Sequence, residues 1–224
     1  MNILAKAVHT SLLVICSFCM VIGKEHHPVI RCKVADMPLQ MVVLEKIDPA
    51  TTITPVDSVM TDGNIVFSGK LISPGLYRLH FSDQQYITLS TDGHDISITA
   101  SWDHLADYKV TSGAATSELA QFINGFRAHL RDMNTMIVVI DTLKARNDWV
   151  QLKKARAEQT TISDEAAAYV EKYVMKTKYE PNAIFAASLL TFAPDNMFSA
   201  DFANSLKRRF PHAPMTKEYL QHVH

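Results

Sequence analysis

A change of periodicity falls at residues 109–119, which read KVTSGAATSEL. Before Gly113, apolar residues alternate with polar ones, as they do in strands that bury one face. After Gly113, apolar residues recur at steps of three and four, the spacing of one helix face. The chain is therefore expected to divide at this glycine into a strand-rich half, 24–113, and a helical half, 114–224.

The N-terminal half is expected to be an antiparallel β-sandwich or an open barrel. Asp62-Gly63 and Asp92-Gly93 favour tight hairpin turns, because both residue types tolerate positive φ. The connections are too short for the helical crossovers that parallel neighbours need, so antiparallel pairing is predicted. The predicted strands are 29–34, 41–47, 56–60, 65–71, 76–81, 86–89, 95–100 and 109–111.

The pattern of the C-terminal half predicts amphipathic helices. We expect them to pack with the strands as one unit, so the predicted fold class is α+β. A helix capped by Thr116-Ser117-Glu118 is expected to be long and to break at Asn147-Asp148. Ser163-Asp164-Glu165 is typical of a helix start and predicts the next one. Shorter helices are expected over 183–192, 199–210 and 217–223.

Composition argues against several classes of function. The chain of 224 residues has 22 basic and 23 acidic side chains and a formal net charge of −1. A chain this close to neutral has no overall charge that would favour nucleic acid or an anionic membrane surface. It also has no glycine-rich phosphate loop and no G-x-S-x-G motif, so we predict no nucleic-acid partner, no cofactor and no hydrolase activity.

Residues 1–23 predict an export signal. Lys6 precedes an apolar run at 11–22, and cleavage is expected near Gly23-Lys24. The run is shorter than the roughly 20 residues that span a bilayer comfortably. Periplasmic or cell-envelope localisation follows, with membrane attachment expected only if the signal is uncleaved or if Cys19 is lipid-modified.

The cysteines argue against redox catalysis. Cys16 and Cys19 fall inside the predicted signal, which leaves Cys32 as the single cysteine of the mature chain. One thiol can form neither an internal disulfide nor a thioredoxin-type dithiol. Cys32 is therefore predicted to be a buried structural residue.

Histidines and aspartates near the predicted strand ends offer an alternative, a metal or acid–base site. Several of these carboxylates fall in or beside turns, where they accept hydrogen bonds from backbone N–H groups, so the turn interpretation is favoured. No metal ligand and no catalytic residue is predicted. The residues concerned are His80, His94, His104, Asp83, Asp92, Asp95 and Asp103.

An apolar run on the long helix is the candidate interface. Its residues are Met133, Met136, Ile137 and Ile140, with Val138 and Val139 between the last two. Consecutive apolar residues exceed what one buried helix face needs. Burial on two sides is one explanation; contact with a second copy or a partner is the other, since Met-rich apolar faces suit adaptable interfaces.

Four segments together carry a resemblance to a known family. They read YITL–DISITA within 86–100, YKVTSGAATSEL at 108–119, NAIFAASLL at 182–190 and FPHAPMTK at 210–217. In order and spacing they resemble the domain of unknown function that precedes thioredoxin-like domains in exported Bacteroidetes proteins. Those relatives are labelled thiol–disulfide oxidoreductases of the thioredoxin-like or AhpC/TSA type, and the resemblance covers roughly 29–223.

The resemblance implies a non-catalytic accessory module. In the relatives a thioredoxin fold with a Trp-Cys-x-x-Cys site follows, whereas Trp102 and Trp149 here have no cysteine after them. The chain is thus expected to assemble or dock thioredoxin-like redox proteins, as a homodimer or with an envelope redox partner. Two alternatives stay open: the N-terminal part of an oxidoreductase whose catalytic domain is missing from this chain, and a ligand carrier that uses the interior of the β half.

Overall fold

The computed structural model describes residues 27–50, 52–69, 72–192 and 196–222. It confirms the α+β class, with two four-stranded sheets followed by helices. The predicted signal at 1–23, with Cys16 and Cys19, lies outside the described residues. So do Leu71, the last residue of the expected strand 65–71, and Val223, the last residue of the expected helix 217–223.

The two sheets form a sandwich whose strands match the predicted segments closely. One sheet has the order β4-β1-β7-β8 and the other β3-β2-β5-β6. The strands are β1 (Val29–Ala35), β2 (Gln40–Ile47), β3 (Ile53–Thr61), β4 (Asn64–Ser68), β5 (Gly75–Ser82), β6 (Gln85–Thr91), β7 (Ile96–Ser101) and β8 (Lys109–Ser112).

The prediction of purely antiparallel pairing is wrong for one pair. Strands β1 and β7 run parallel, with Ile30 opposite Ile96 and Cys32 opposite Ile98. The whole second sheet lies between these two strands in sequence. The chain therefore returns to the first sheet in the same direction without the helical crossover that parallel neighbours usually need.

The Asp-Gly turns are present, but the expectation that they close hairpins is wrong. The turn at Gly63 joins β3 to β4 and the turn at Gly93 joins β6 to β7, and each pair of strands belongs to different sheets. Both glycines have positive φ, +130° and +97°, and Asp36 (φ 58°) occupies the corresponding corner between β1 and β2. Positive φ reverses the chain sharply, and here the reversal carries it across the sandwich.

The helical half contains two long helices and three shorter ones among the described residues. They are α1 (Ala114–Ala145), α2 (Trp149–Lys176), α3 (Glu180–Ser188), α4 (Asn196–Arg209) and α5 (Pro214–His222). Short 3₁₀ helices span Trp102–Asp107 and Leu189–Phe192.

Two predicted helix starts are wrong. Helix α2 begins after Asp148, whose side chain accepts the Gln151 N–H at 3.1 Å, because Asn147 (φ 56°) has already reversed the chain. Asp164 and Glu165 lie inside α2 on its exposed side. Helix α1 likewise begins before the expected cap, at Ala114.

Helices α1 and α2 form an antiparallel hairpin that packs against α3 and the second sheet. Gly125 permits the close approach, since a Cβ at this position would lie 2.0 Å from the Tyr169 hydroxyl oxygen. Phe122 stacks on Tyr173 with ring centroids 4.1 Å apart. Leu76 of β5 belongs to the same apolar cluster, so the helical core is continuous with one face of the second sheet.

Candidate binding groove

A groove of about 520 Å³ lies where the β half meets the helical half. Its walls are the start of β6, the 3₁₀ helix Trp102–Asp107, the middle of α1 and the end of α3. Volumes of this size are typical of sites that accept a ligand or a peptide side-chain cluster. The apolar lining residues include Tyr86, Trp102, Ile123, Phe126, Leu130 and Phe185.

Strand β6 forms one wall because it is an edge strand of its sheet. Its residues pair only with β5, and Leu89 and Ile87 face Tyr77 and Leu79 in that ladder. In an antiparallel pair, every second residue directs its N–H and C=O away from the partner strand. The direction of these outward groups decides what β6 presents to the groove.

Two side chains identify the outward residues of β6. The Thr116 hydroxyl accepts the Ser90 N–H at 3.1 Å and donates to the Ser90 C=O at 2.6 Å. The Tyr108 hydroxyl donates to the Thr88 C=O at 3.3 Å. Ser90, Thr88 and, by the same alternation, Tyr86 therefore point their backbone groups away from β5.

The edge is closed at Ser90 and buried at Thr88, whereas Tyr86, nearer the hairpin, is 51% exposed. Tyr108 lines the groove together with Tyr86 and bonds the Thr88 carbonyl, so this end of β6 forms part of the groove wall.

Arg127 supplies the cationic group of the groove. Its Nη1 donates to the Ala106 C=O at 2.7 Å and to Asn124 Oδ1 at 3.0 Å, which fastens the 3₁₀ helix to α1. Among the described residues no carboxylate forms an ion pair with Arg127, although exposed Asp103 and Asp107 also line the groove. Its Nε and Nη2 donors consequently remain available.

Tyr108 lies beside this guanidinium. Burial raises the pKa of Tyr108 to about 12, and the positive charge of Arg127 acts in the opposite direction. The phenol therefore stays protonated at neutral pH and donates to β6. Together, Tyr108 and Arg127 make the floor of the groove a set of polar donors surrounded by aromatic and aliphatic side chains.

The candidate interface predicted on α1 is only partly at the surface. Met136 and Ile140 are buried against Leu152 and Ala155 of α2. Met133 is half-buried against the main helical cluster. Ile137 is 46% exposed, and Val138 and Val139 beside it are 66% and 39% exposed, so these three residues are the part of the run available to another chain.

Ile137 also shares a helix face with the groove. Ile123, Leu130 and Ile137 follow one another at seven-residue steps, and residues seven apart lie almost one above the other on a helix. Ile123 and Leu130 line the groove, and Leu130 is 41% exposed. An apolar stripe thus runs from the groove along α1 to Ile137.

Cys32 lies in β1 at the centre of the sandwich and is 2% exposed. Burial raises the pKa of its thiol to about 12. The thiolate is the nucleophilic form of cysteine, so this residue is inert at neutral pH. The prediction of a buried thiol at this position is confirmed.

The histidines and aspartates considered as a metal site are dispersed. His80 lies 3.2 Å from Glu45 Oε1, and His94 lies 3.0 Å from Asp92 Oδ1. Asp95 accepts the Val29 N–H and pairs with Arg31, each at 3.0 Å. Within the described ranges, no three His, Cys, Asp or Glu side chains converge on a point where a metal ion could bind.

The interior of the sandwich is filled with side chains. This counts against the alternative of a ligand carrier that uses the interior of the β half. Its facing side chains are fully or almost fully buried, and Tyr77 among them donates its hydroxyl proton to the Ser73 C=O at 3.0 Å. The groove of about 520 Å³ lies outside this interior. The filling residues include Ile30, Val42, Leu44, Phe67, Tyr77, Leu79, Ile87 and Leu89.

No protein-family model matches the chain, and no curated protein matches it significantly. The resemblance to the accessory domain of exported thioredoxin-like proteins therefore stays a prediction. In the described part of the chain, no helix is both long and apolar enough to cross a bilayer.

Proposed function

We propose that this chain is a non-catalytic binding module that docks a partner polypeptide in the groove between its two halves. The observation that carries the proposal is an open, largely apolar groove of about 520 Å³, with Tyr86 and Leu130 half exposed on its walls. Exposed aromatic and aliphatic side chains around a concave site are typical of surfaces that bury a partner.

The class of partner follows from the resemblance to the accessory domain. We take it to be an exported thioredoxin-like redox protein, met in the periplasm or cell envelope after the N-terminal signal has acted. The state of Cys32 supports an accessory role, because a buried thiol with a pKa of about 12 cannot exchange disulfides at neutral pH. On this proposal the partner supplies the redox chemistry and this chain supplies the position.

The test is equilibrium binding of the purified chain to a purified exported thioredoxin-like protein from the same organism. Leu130→Glu places a charge in the groove and is expected to weaken binding at least about tenfold. Leu39→Glu is the matched control, since Leu39 is 72% exposed and does not line the groove. Equal affinities for both variants, or no binding by the unmodified chain, would contradict the proposal.

The proposal that the chain is non-catalytic is tested by a separate measurement. An insulin-reduction assay on the purified chain is expected to show no turnover above the rate with reductant alone. Turnover that persists through further purification and disappears in Cys32→Ala would overturn this part.

A further inference from the structure

The far end of the α1–α2 hairpin carries exposed apolar and basic side chains together. We propose that this end docks on the surface of a phospholipid bilayer with anionic headgroups. Trp149 and Val150 enter the interfacial layer, and the basic side chains around them contact lipid phosphates. None of these residues lines the groove, so the inference does not rest on the proposed docking of a partner protein.

The hairpin end is a two-helix arm, residues 136–162, with a small core of its own. Every residue from 141 to 151 except Leu143 is exposed. Side chains of this segment that do not face the other helix therefore face solvent. The buried residues of the arm come from α1 and α2 alone and are Met136, Ile140, Leu152 and Ala155.

Large apolar side chains are exposed on the arm. Trp149 and Val150, in the first turn of α2, are 65% and 70% exposed. Val138 and Val139 are exposed on α1, and Val138 lies about 10 Å from the end of that helix at 1.5 Å per residue. Tryptophan is enriched at the headgroup level of bilayers, because its ring is apolar and its N–H still finds a polar partner there.

Basic side chains surround these apolar residues. Residues 144–156 contain five basic side chains and one acidic side chain, Asp148, although the whole chain is balanced at 22 and 23. Asp148 accepts the Gln151 N–H at 3.1 Å, and Lys144 pairs with Asp141 at 3.0 Å. Within the described ranges, the other four basic side chains form no ion pair with a carboxylate. These four are Arg146, Lys153, Lys154 and Arg156.

Helical spacing places cations one turn behind the apolar residues. Lys153 follows Trp149 by four residues, and Lys154 follows Val150 by four, so each lysine lies on the same side of α2 as its apolar neighbour. The aliphatic stems of such lysines cover apolar surface while their ammonium groups stay at the level of the phosphates. Apolar residues flanked by cations in this way are typical of surfaces that bind in the bilayer interface.

The charge favours a lipid surface over a second copy of the chain. A second copy on this surface would bring the same unpaired cations together, and juxtaposed like charges oppose association. An anionic bilayer presents phosphates across an area that can contact all of them, and each basic side chain near such a surface strengthens binding. This attachment requires neither a retained signal nor a lipid-modified Cys19.

The test is vesicle co-sedimentation of the purified chain from residue 24 onward, which leaves out the apolar run at 11–22. Vesicles of phosphatidylcholine alone are compared with vesicles of equal parts phosphatidylcholine and phosphatidylglycerol. We expect binding to the anionic vesicles to be at least about tenfold tighter and to weaken as salt screens the exposed charges. Equal affinities for the two kinds of vesicle, or no sedimentation with the anionic vesicles at low salt, would overturn the inference.

A pair of charge reversals locates the contact. Lys153→Glu combined with Lys154→Glu is expected to weaken binding to the anionic vesicles at least about tenfold. Lys33→Glu combined with Lys109→Glu is the matched control, since both lysines are exposed on the first sheet and the net charge changes equally. Equal weakening by both pairs would mean that net charge alone acts and would contradict docking through the arm.

Lipids with brominated acyl chains measure whether Trp149 enters the bilayer. Bromine quenches indole fluorescence at short range, so the emission of the bound chain is expected to fall. Trp149→Phe keeps an aromatic ring in place and leaves Trp102 as the only indole, so it should show a much smaller loss. Equal quenching of the two proteins when both co-sediment would contradict insertion of Trp149.

The outcomes also separate this inference from docking in the groove. Vesicle binding that is lost with the arm reversals, while Leu130→Glu abolishes binding of the thioredoxin-like protein, supports two separate surfaces. If the anionic vesicles do not bind, yet the Lys153 and Lys154 reversals weaken binding of that protein, the arm docks protein and the lipid inference is wrong.

Discussion

Gly63 shows how one residue fixes the path of the chain between the sheets. Its φ is +130°, and a Cβ there would lie 2.2 Å from the Val34 carbonyl oxygen. The Val34 N–H also donates to the Gly63 C=O at 2.8 Å, so the corner cannot move away from β1 without losing that bond. Both the backbone angle and the lack of space require glycine.

Gly63→Ala is therefore expected to destabilise the fold more than Gly69→Ala. Gly69 has nearly the same φ, +129°, but nothing lies within 4 Å of the position that a methyl group would take there, so only backbone strain acts. We expect a difference of about 2 kcal/mol in the free energy of unfolding, measured by urea denaturation. Equal losses would show that space at the corner is not limiting.

The buried thiol of Cys32 predicts that the free energy of unfolding depends on pH. In the folded chain the thiol keeps its proton up to a pKa of about 12, whereas in the unfolded chain it loses the proton at about 8.5. The folded state therefore binds more protons in this window, and the free energy of unfolding falls as the pH rises through it. The stabilisation that the buried thiol contributes is fully present at pH values below the unfolded pKa. It is lost as the pH rises from the unfolded to the folded pKa, at no more than about 1.4 kcal/mol per pH unit.

The measurement is the free energy of unfolding of the chain from residue 24 onward and of its Cys32→Ala variant between neutral and alkaline pH. The unmodified chain should lose stability more steeply above about pH 8.5. Native Cys32 should also resist a thiol reagent at about pH 8 and react once urea unfolds the chain. The burial described for this thiol would be contradicted by two results together. The free energies of unfolding of the two proteins would change in parallel with pH, and the thiol reagent would label Cys32 rapidly in the native chain.

Among the elements, β6 depends on a hydroxyl of α1 to close its edge. Thr116 is fully buried and bonds both backbone groups of Ser90. Thr116→Val keeps the shape but leaves a buried N–H and C=O unpaired, so it should destabilise the fold by about 1–3 kcal/mol. Thr111→Val is the control, since the Thr111 hydroxyl bonds the Ser97 C=O at an exposed position and should cost much less. Similar costs would mean that the edge is not held by Thr116.

Helix α1 makes a separate prediction about assembly. Ile137 extends the apolar stripe beyond the groove, while Met136 and Ile140 are committed to α2. If the stripe joins two copies, Ile137→Glu should convert a dimer to a monomer in light scattering, and Thr135→Glu at an exposed neighbouring position should not. If the unsubstituted chain is already monomeric, the homodimer hypothesis is wrong, and docking of another protein is the hypothesis that remains.

For the molecule as a whole, local patterns locate the elements and non-local contacts decide their arrangement. Alternation locates the eight strands found in the described residues, and the switch at Gly113 locates the boundary between the halves. No local signal distinguishes an Asp-Gly hairpin from an Asp-Gly corner between sheets, because the distinction depends on which distant strand each partner finds. The parallel β1–β7 pair escapes sequence-based prediction for the same reason.

The groove lies beyond sequence reasoning for a related cause. Ile123, Leu130 and Ile137 are visible as a seven-residue stripe, yet only Ile137 belongs to the predicted interface. Tyr86, Trp102 and Arg127 come from three separate elements that meet only in the folded chain. That β6 is an edge strand follows from the strand order, which no local pattern of the sequence predicts.

The most direct measurement is site-specific photo-crosslinking in a purified mixture of this chain and an exported thioredoxin-like protein. A benzophenone side chain would replace Leu130 in the groove or, as control, Leu39 on the exposed link between β1 and β2. Docking in the groove predicts a covalent adduct from position 130 and none from position 39. Adducts of equal yield from both positions, or none from position 130 while the two proteins bind, would contradict it.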